Sequence, residues 1–239
     1  MESADPHLIA VIIPALDEEE ALPGLLEDLE REGLLAAVLV VDNGSTDGTA
    51  EAAARAGAHV VREPRKGYGA ACLRGLAAME SLMPHAEVVV FLDADRSDDP
   101  GFVHILAAPV IRGELDLVIG SRTLGRAEAG ALYGHQRLGN RIYCALIRAL
   151  FGHLYTDLGP FRAIRREALT RIGMRDTGFG WTVEMQVKAL LNGLRVGEVA
   201  VPCRRRVGTS KISGTLAGTA GAALKIGWTI LRLRLPGAG

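Results

Sequence analysis

Cysteine, aromatic residues and long apolar runs are all scarce in this chain of 239 residues. The three cysteines form no CxxC pair and are odd in number, which argues against a disulfide framework or a zinc knuckle. Aromatic residues make up 5% of the chain and RNA- or DNA-binding motifs are absent, so we expect no nucleic-acid partner. No uncharged apolar run reaches the roughly 18 residues that a membrane-spanning helix needs. These absences favour a globular protein of the cytoplasm.

Acidic residues are absent from the C-terminal part of the sequence. Residues 199–239 contain seven basic residues and no acidic one, whereas residues 1–61 contain thirteen acidic and two basic residues. The formal net charge of the whole chain is only −1, which does not favour general nucleic-acid binding. A locally basic C-terminal region instead predicts an anionic partner there.

What the first half does contain is an alternation of strand-like and helical patterns. The predicted strands cover residues 8–13, 37–41, 59–62, 87–92 and 116–119. The predicted helices cover residues 18–31, 47–56, 69–83 and 99–112. This alternation is typical of right-handed β-α-β units, so we predict an α/β fold with a mostly parallel central sheet flanked by helices. The expected ligand site lies beyond the carboxyl ends of those strands.

The second half is less regular. It predicts helices over residues 132–151, 182–191 and 214–235, and strands over residues 161–164 and 195–201. We expect one domain over residues 1–213, followed by a basic, apolar helical extension over residues 214–239. On the 132–151 helix, Arg137 is the arginine expected to approach a phosphate.

Two aspartates, Asp93 and Asp95, directly follow the fourth predicted strand. Carboxylates one residue apart at a strand end offer hard oxygen ligands to a divalent cation and leave room for phosphates and water. The alternative is an Asp-rich turn that caps the next helix, a role that suits Asp98 and Asp99.

Two further turns carry candidate binding residues. Asp42 ends the second predicted strand, where its carboxylate is expected to accept hydrogen bonds from a ribose or a base. Thr46 and Asp47, just after it, are explained as a turn and helix cap. Lys66 lies in a glycine-flanked turn before a predicted helix and is placed to receive phosphate charge, although no GxxxxGK[ST] loop occurs in the chain.

Taken together, these motifs resemble family 2 glycosyltransferases over roughly residues 8–215. The matching segments are residues 11–19, 41–49, 66–67, 91–95 and 120–122, in the order and spacing of that family. Residues 199–202 and 206–211 extend the resemblance towards its dolichyl- or polyprenyl-phosphate sugar transferase branch. The resemblance implies a GT-A fold and an inverting transfer of a hexose from a GDP- or UDP-linked sugar to a polyprenyl-phosphate-type acceptor, assisted by Mg²⁺ or Mn²⁺.

The resemblance also assigns roles to individual residues. The implied donor-binding residues are Pro14, Ala15, Glu18, Asp42, Lys66, Asp93, Ala94, Asp95 and Arg122. Asp93 and Asp95 are the implied metal ligands. The implied catalytic residues are Asp95, Glu184 and Arg206, and the implied acceptor-binding residues are Trp181, Arg206, Ser210 and Lys211.

Glu184 and Trp181 each have two interpretations. Glu184 near the start of a predicted helix is either a general base for a hydroxyl acceptor or a charge that complements the helix dipole. A lipid phosphate is already anionic and needs no strong base, which leaves Glu184 to orient or bind. Trp181 either stacks on a sugar or packs as an aromatic core residue.

Two departures from the family pattern bear on these roles. Ser97, preceded by Arg96, stands where relatives often have Gln, so we expect water to complete the metal shell. The 157–162 segment also differs, which indicates a specialised acceptor side. Transfer to a hydroxyl of a soluble or glycolipid acceptor, and a non-catalytic nucleotide-sugar-binding subunit, remain as alternatives.

The C-terminal segment predicts an interaction surface. Trp228, Leu231 and Leu235 alternate with Lys225 and Arg232, a pattern suited to the anionic inner face of the cell membrane. Packing on the domain, or on a second copy in a homo-oligomer, is the alternative.

Overall fold

The computed structural model describes residues 8–208 and 216–235. Its strands are β1 (Ile9–Ala15), β2 (Val38–Asp42), β3 (His59–Arg62), β4 (Val88–Phe91), β5 (Leu117–Ser121), β6 (Arg162–Arg165) and β7 (Val196–Ala200). Its helices are α1 (Leu22–Arg31), α2 (Thr49–Arg55), α3 (Tyr68–Leu82), α4 (Val103–Ile111), α5 (Gly134–Phe151), α6 (Arg166–Ile172), α7 (Trp181–Leu191) and α8 (Leu216–Arg234). The predicted alternation of strands and helices is confirmed.

The strands form one sheet in the order β3-β2-β1-β4-β6-β5-β7. Neighbouring strands are parallel except at β6, which runs antiparallel to both β4 and β5. Because β6 is antiparallel to both of its neighbours, β5 runs in the same direction as β4. The carboxyl ends of the other six strands therefore lie at the same edge of the sheet, as the α/β prediction requires.

Each face of the sheet packs against its own set of helices. In β1, Ala10 and Ile12 point into one core cluster, whereas Ile9, Val11 and Ile13 point into the other. The first cluster is completed by α3, α5, α6, α7 and α8, and the second by α1, α2 and α4. Burial of each large aliphatic side chain contributes roughly 1.5–3 kcal/mol, so both layers hold the sheet in place.

Three elements differ from the sequence prediction. α1 begins at Leu22 rather than at residue 18. Residues 19–21 form a turn, and Pro23 lies in the first turn of the helix, where its missing N–H costs no hydrogen bond. The start of the helix predicted over 99–112 is instead a 3₁₀ turn, Pro100–Phe102, capped by Asp99. α6 was not predicted, because seven residues are too few to display a helical period.

The C-terminal helix α8 packs on the rest of the protein. Its Ile230 and Leu233 are buried in the first core cluster, and the Tyr143 hydroxyl of α5 donates a hydrogen bond to the Ala223 carbonyl at 2.7 Å. The predicted boundary between residues 213 and 214 lies outside the described residues. In the described ranges, no helix combines the length and the apolar character needed to cross a bilayer.

Candidate functional site

A cleft of about 510 Å³ opens at the carboxyl edge of the sheet. Its walls come from the loops after β1, β2, β3, β4 and β7 and from the turn before α7. The predicted site residues that line it are Pro14, Ala15, Glu18, Lys66, Asp93, Ala94, Asp95 and Arg206. Residues that are far apart in sequence thus meet because their strands end at one edge.

Sequence reasoning assigned no role to several other residues of the cleft wall. These are Leu16, Asn43, Gly67, Tyr68, Thr177, Gly178 and Phe179. The turn over residues 177–179 contains no recognisable sequence motif. Its place in the cleft depends on packing against the start of α3. There Ala70 N–H donates to the Thr177 carbonyl at 2.9 Å.

Asn43 organises the turn that presents Lys66. Its amide nitrogen donates to the carbonyls of Glu63 and Arg65 at 3.0 and 2.8 Å, and its amide oxygen accepts from Gly67 N–H at 2.8 Å. Gly67 has a φ of 143°, which a side chain would strain. Asn43 directly follows Asp42 in the sequence. Its hydrogen-bond partners are about twenty residues away, so the sequence alone does not show its role.

Asp93 and Asp95 lie at the base of the cleft. The Asp95 Oδ1 atom accepts a hydrogen bond from Ser97 N–H at 2.9 Å, so one carboxylate oxygen is held by its own loop. Asp93 Oδ1 is buried and has no hydrogen-bond partner within the described residues. Burial raises the pKa of Asp93 well above its usual value, and the nearby charges of Asp95 and Asp98 raise it further.

Asp98 does not serve as the helix cap expected from the sequence. The capping role belongs to Asp99, whose carboxylate accepts from Gly101 N–H at 3.1 Å. Asp98 is instead buried, and burial raises its pKa to about 7 despite the opposing charge of Arg122. The charge of Asp98 acts in turn on Asp93, whose pKa it helps to raise.

The carboxylate pair suits a divalent cation held jointly with a ligand. Hard carboxylate oxygens are the donors that Mg²⁺ and Mn²⁺ prefer, and the orphaned Asp93 oxygen provides such a donor at the cleft. Among the described residues, no three acidic, histidine or cysteine side chains come together as a complete cation site. The protein thus offers part of a coordination shell, and substrate phosphates and water are suited to supply the rest.

Asp42 lies beside the cleft rather than on its wall. It lines an adjoining recess of about 300 Å³ together with Ser45, Arg62 and Glu63. Its Oδ1 accepts from Ser45 N–H at 3.0 Å, and Arg62 Nε approaches its Oδ2 at 3.8 Å. Asp42 is the last residue of β2, as expected, and the next residue, Asn43, lines the cleft.

Arg122, an expected donor-binding residue, lies beside the cleft rather than on its wall, although its charge acts on Asp93 and Asp98. Its guanidinium donates from both Nε and Nη2 to the Asp157 carboxylate at 2.8 Å, and its N–H donates to the same group at 2.9 Å. Although burial acts to raise the pKa of Asp157, the charge and hydrogen bonds of Arg122 lower it below its usual value.

The Arg122–Asp157 pair lines a second recess of about 460 Å³. The other residues of this recess are Thr123, Gly125, Ala127, Leu132, Gln136, Arg137, Asn140 and Arg141. Arg137 and Arg141 are exposed and lie one helical turn apart on α5. The second recess therefore carries three arginines against one carboxylate, an arrangement suited to an anion.

The structure does not place Glu184 and Trp181 in the cleft. Glu184 is fully buried, with its carboxylate 3.0 Å from Lys188 Nζ and 2.7 Å from Asp176 N–H. Trp181 is fully buried against Phe91, with ring centroids 5.8 Å apart. Neither the general-base interpretation nor the sugar-stacking interpretation fits these positions, because both side chains are used inside the core. Ser210 and Lys211 lie outside the described residues.

Comparisons with known proteins agree with this geometry. A curated, uncharacterized glycosyltransferase of Mycobacterium tuberculosis is 39% identical over 93% of this chain and 97% of its own length. A dolichyl-phosphate hexose transferase of Haloferax volcanii is 30% identical over 89% of this chain and 90% of its own length.

Solved structures are also similar. Glucosyl-3-phosphoglycerate synthase of Mycobacterium tuberculosis, crystallised with Mn²⁺, uridine diphosphate and phosphoglyceric acid, superposes with a TM-score of 0.74. The sequences are 25% identical, and the match covers 95% of this chain and 78% of that one. The neighbours are GT-A glycosyltransferases, which confirms the predicted fold.

The family model described as glycosyl transferase family 2 matches residues 10–173. That range includes β1 to β6, and with them the Asp93–Asp95 pair and Arg122. The chain therefore belongs to glycosyl transferase family 2 and is a glycosyltransferase.

Proposed function

We propose that this enzyme transfers a hexose from a UDP- or GDP-linked sugar to the phosphate of a polyprenyl-phosphate-type acceptor, with Mg²⁺ or Mn²⁺ bound at Asp93 and Asp95. The single observation that carries the proposal is a carboxylate-lined cleft and an arginine-lined recess at one edge of the sheet. The relatives support each half: one structure contains Mn²⁺ with uridine diphosphate, and one relative is named for transfer to dolichyl phosphate.

The donor side is assigned to the cleft. Lys66 and Arg206 are the cations on its wall, and Asp93 and Asp95 hold the divalent cation against the donor diphosphate. The bound ion acts as a Lewis acid that offsets charge growing on the leaving nucleoside diphosphate. Asp42 and its adjoining recess are assigned to the nucleoside.

The acceptor side is assigned to the second recess. Asp157 holds Arg122 in a fixed orientation, while Arg137 and Arg141 are free of such a carboxylate partner among the described ion pairs. A phosphate monoester accepts paired hydrogen bonds from guanidinium groups. We therefore assign Arg122 to the acceptor rather than to the donor, together with Arg137 and Arg141.

An acceptor phosphate also fits the position of Glu184. A hydroxyl acceptor needs a base within hydrogen-bond reach, and Glu184 is inside the core and paired with Lys188. A phosphate oxygen is already anionic at neutral pH and attacks the anomeric carbon without losing a proton. Attack opposite the leaving diphosphate inverts that carbon, and the bond from the sugar to the diphosphate breaks as the new one forms.

One experiment separates the donor and acceptor assignments. Purified full-length chain with Mn²⁺ is given UDP- and GDP-hexoses, with polyprenyl phosphate in detergent, 3-phosphoglycerate or a neutral polyprenol as acceptor. We expect metal-dependent transfer to polyprenyl phosphate and none to polyprenol. In Arg137→Ala and Arg141→Ala, we expect the KM for the acceptor to rise about tenfold or more while the donor KM is unchanged.

Three other results change the proposal. Transfer to 3-phosphoglycerate but not to polyprenyl phosphate contradicts the lipid acceptor and retains the anion-binding recess. Transfer to polyprenol that requires Glu184 overturns the acceptor assignment. Donor binding without transfer to any acceptor, in every arm, favours the non-catalytic alternative.

We propose further that α5 and α8 rest on an anionic membrane surface. Leu138 and Ile142 of α5, and Leu224, Trp228 and Leu231 of α8, are all at least half exposed. They recur at helical spacing on two helices that contact each other through Tyr143. Basic residues accompany them, and α5 contains no acidic residue. Leu132 and Arg137 connect this face to the second recess, which suits an acceptor anchored in lipid.

A further inference from the structure

The segment after β7, residues 203–207, crosses the carboxyl edge of the sheet. On one side, Arg204 N–H donates to the Ser97 carbonyl and Val207 N–H donates to the Asp95 carbonyl, both at 2.9 Å. On the other side, Cys203 N–H donates to the Arg126 carbonyl at 3.0 Å. The backbone of this crossing segment is thus attached to the loop of the carboxylate pair and to the loop of the second recess.

The crossing segment places Arg206 over the carboxylates of the cleft. Arg206 Nη2 lies 3.3 Å from Asp95 Oδ2 and 3.6 Å from Glu18 Oε1, and 31% of the side chain is exposed. Its Nε is buried and has no hydrogen-bond partner among the described residues. A guanidinium offers five N–H donors, so Arg206 keeps unused donors beside the cleft.

The two carboxylate oxygens of Asp95 have different partners. Oδ1 accepts the Ser97 N–H, so Oδ2 is the oxygen that faces Arg206. A divalent cation held by Asp93 and Asp95 draws on the same carboxylate. Two positive groups at one oxygen repel each other, and that repulsion is strong because Asp95 is buried.

We propose that Arg206 is an exchangeable counter-cation, which pairs with Asp95 until a divalent cation and a nucleoside diphosphate bind, and then moves to the diphosphate. This proposal rests on the proposed function, since it takes Asp93 and Asp95 as the metal ligands. The oxygens of the diphosphate accept hydrogen bonds from those N–H groups of Arg206 that have no other partner. No covalent bond changes in this exchange.

The exchange couples the two ligands. A divalent cation alone must displace Arg206 without giving it a new partner, so it binds weakly. With a nucleoside diphosphate present, Arg206 gains phosphate contacts, so each ligand strengthens the binding of the other by the same factor. The extra coupling due to Arg206 adds to whatever coupling comes from direct contact between cation and phosphate.

The test is a titration of the full-length chain with Mn²⁺, with free Mn²⁺ followed by electron paramagnetic resonance, with and without UDP or GDP. We expect Arg206→Gln to bind Mn²⁺ alone about tenfold more tightly than the unaltered chain, and to lose about tenfold of the coupling. Arg206→Lys keeps the charge and is expected to bind Mn²⁺ alone as weakly as the unaltered chain.

Arg205→Gln is the matched control. It removes the same charge from the neighbouring, exposed residue, whose N–H donates to the Glu128 carboxylate at 2.8 Å. We expect its Mn²⁺ affinity and coupling to equal those of the unaltered chain. If Arg205→Gln and Arg206→Gln increase the Mn²⁺ affinity equally, net charge explains the effect and the proposal is overturned.

Two negative results are distinguishable. If Mn²⁺ and nucleotide bind but Arg206→Gln changes neither affinity nor coupling, the exchange is wrong and the proposed function stands. If no Mn²⁺ binds to any variant, with or without nucleotide, the metal assignment of Asp93 and Asp95 is wrong and both proposals fall. Thermal unfolding of each variant shows whether it is folded. If Arg206→Gln is not, Arg206→Met, which removes the same charge, takes its place in the titration.

Discussion

Arg122 and Asp157 form a two-pronged ion pair at the carboxyl edge of the sheet, with both side-chain hydrogen bonds at 2.8 Å. The pair joins the end of β5 to the loop before β6, two elements 35 residues apart in sequence. Arg122 lines the second recess, and its charge also acts on Asp93 and Asp98 at the end of β4.

Asp157→Asn should remove a pH-dependent contribution to stability. The pKa of Asp157 is held below its usual value of 3.8, so the pair stabilises the folded state above that pH. This contribution is lost as pH falls below about 3.8 and the carboxylate takes up a proton. We expect Asp157→Asn to cost about 3 kcal/mol at pH 7, because it leaves Arg122 without its carboxylate. Urea unfolding from pH 7 to pH 3 should show the difference from the unaltered chain shrinking as pH falls; a constant difference contradicts it.

Asp95→Asn should abolish the metal-dependent part of nucleotide binding. With UDP or GDP at about 100 times its dissociation constant and Mn²⁺ present, the unaltered chain should gain about 2.7 kcal/mol of stability, seen as a thermal shift. Asp99→Asn is the control, because Asp99 caps the turn before α4 and pairs with Arg204 at 2.8 Å outside the cleft. A full Mn²⁺-dependent shift in Asp95→Asn contradicts the metal assignment.

Glu184→Gln should affect stability more than the chemical step. Removing this charge leaves Lys188 buried without its carboxylate partner, which costs about 3–5 kcal/mol. Pairing it with Lys188→Met removes the orphaned cation and should recover part of that loss. A stable Glu184→Gln enzyme with kcat reduced a hundredfold or more points instead to a general base.

Gly69→Ala should disturb the wall of the donor cleft. A Cβ at Gly69 overlaps the backbone carbonyl of Asp176, at the contact between α3 and the turn before α7. We expect a loss of about 1–3 kcal/mol and weaker nucleotide binding, measured by thermal unfolding and calorimetry. Gly139→Ala in α5 is the control, since a Cβ there meets no atom within 4 Å, and it should be neutral or stabilising.

Trp228 fluorescence should report contact with anionic lipid. The chain has two tryptophans, of which Trp181 is fully buried and Trp228 is 60% exposed. Anionic vesicles should shift the emission to shorter wavelength, and zwitterionic vesicles should not, because the basic residues of this face favour negative headgroups. A shift that persists in Trp228→Phe, or that is equal for both vesicle types, contradicts the membrane assignment.

The sequence by itself determined the α/β fold and about half of the cleft wall, including Pro14, Asp93 and Asp95. In the sequence, strand-like runs end directly before Pro14, Asp42 and Asp93, and in a parallel sheet strand ends of this kind meet at one edge. A strand pattern and a polar residue at its end are local features, so they can be recognised in the sequence. The same local logic located Lys66 before α3, although not the contacts of Asn43 that hold its turn.

Only the tertiary structure decided the roles that depend on distant partners. Arg122 lines the second recess because Asp157, 35 residues away, binds its guanidinium. Glu184 has partners near it in sequence, Lys188 and the 175–176 backbone, but its complete burial depends on the packing of α7 against other helices. Trp181 is a core residue for the same reason, and the burial of Asp98 likewise depends on its tertiary surroundings. Side-chain orientation follows from packing between elements, which no single segment contains.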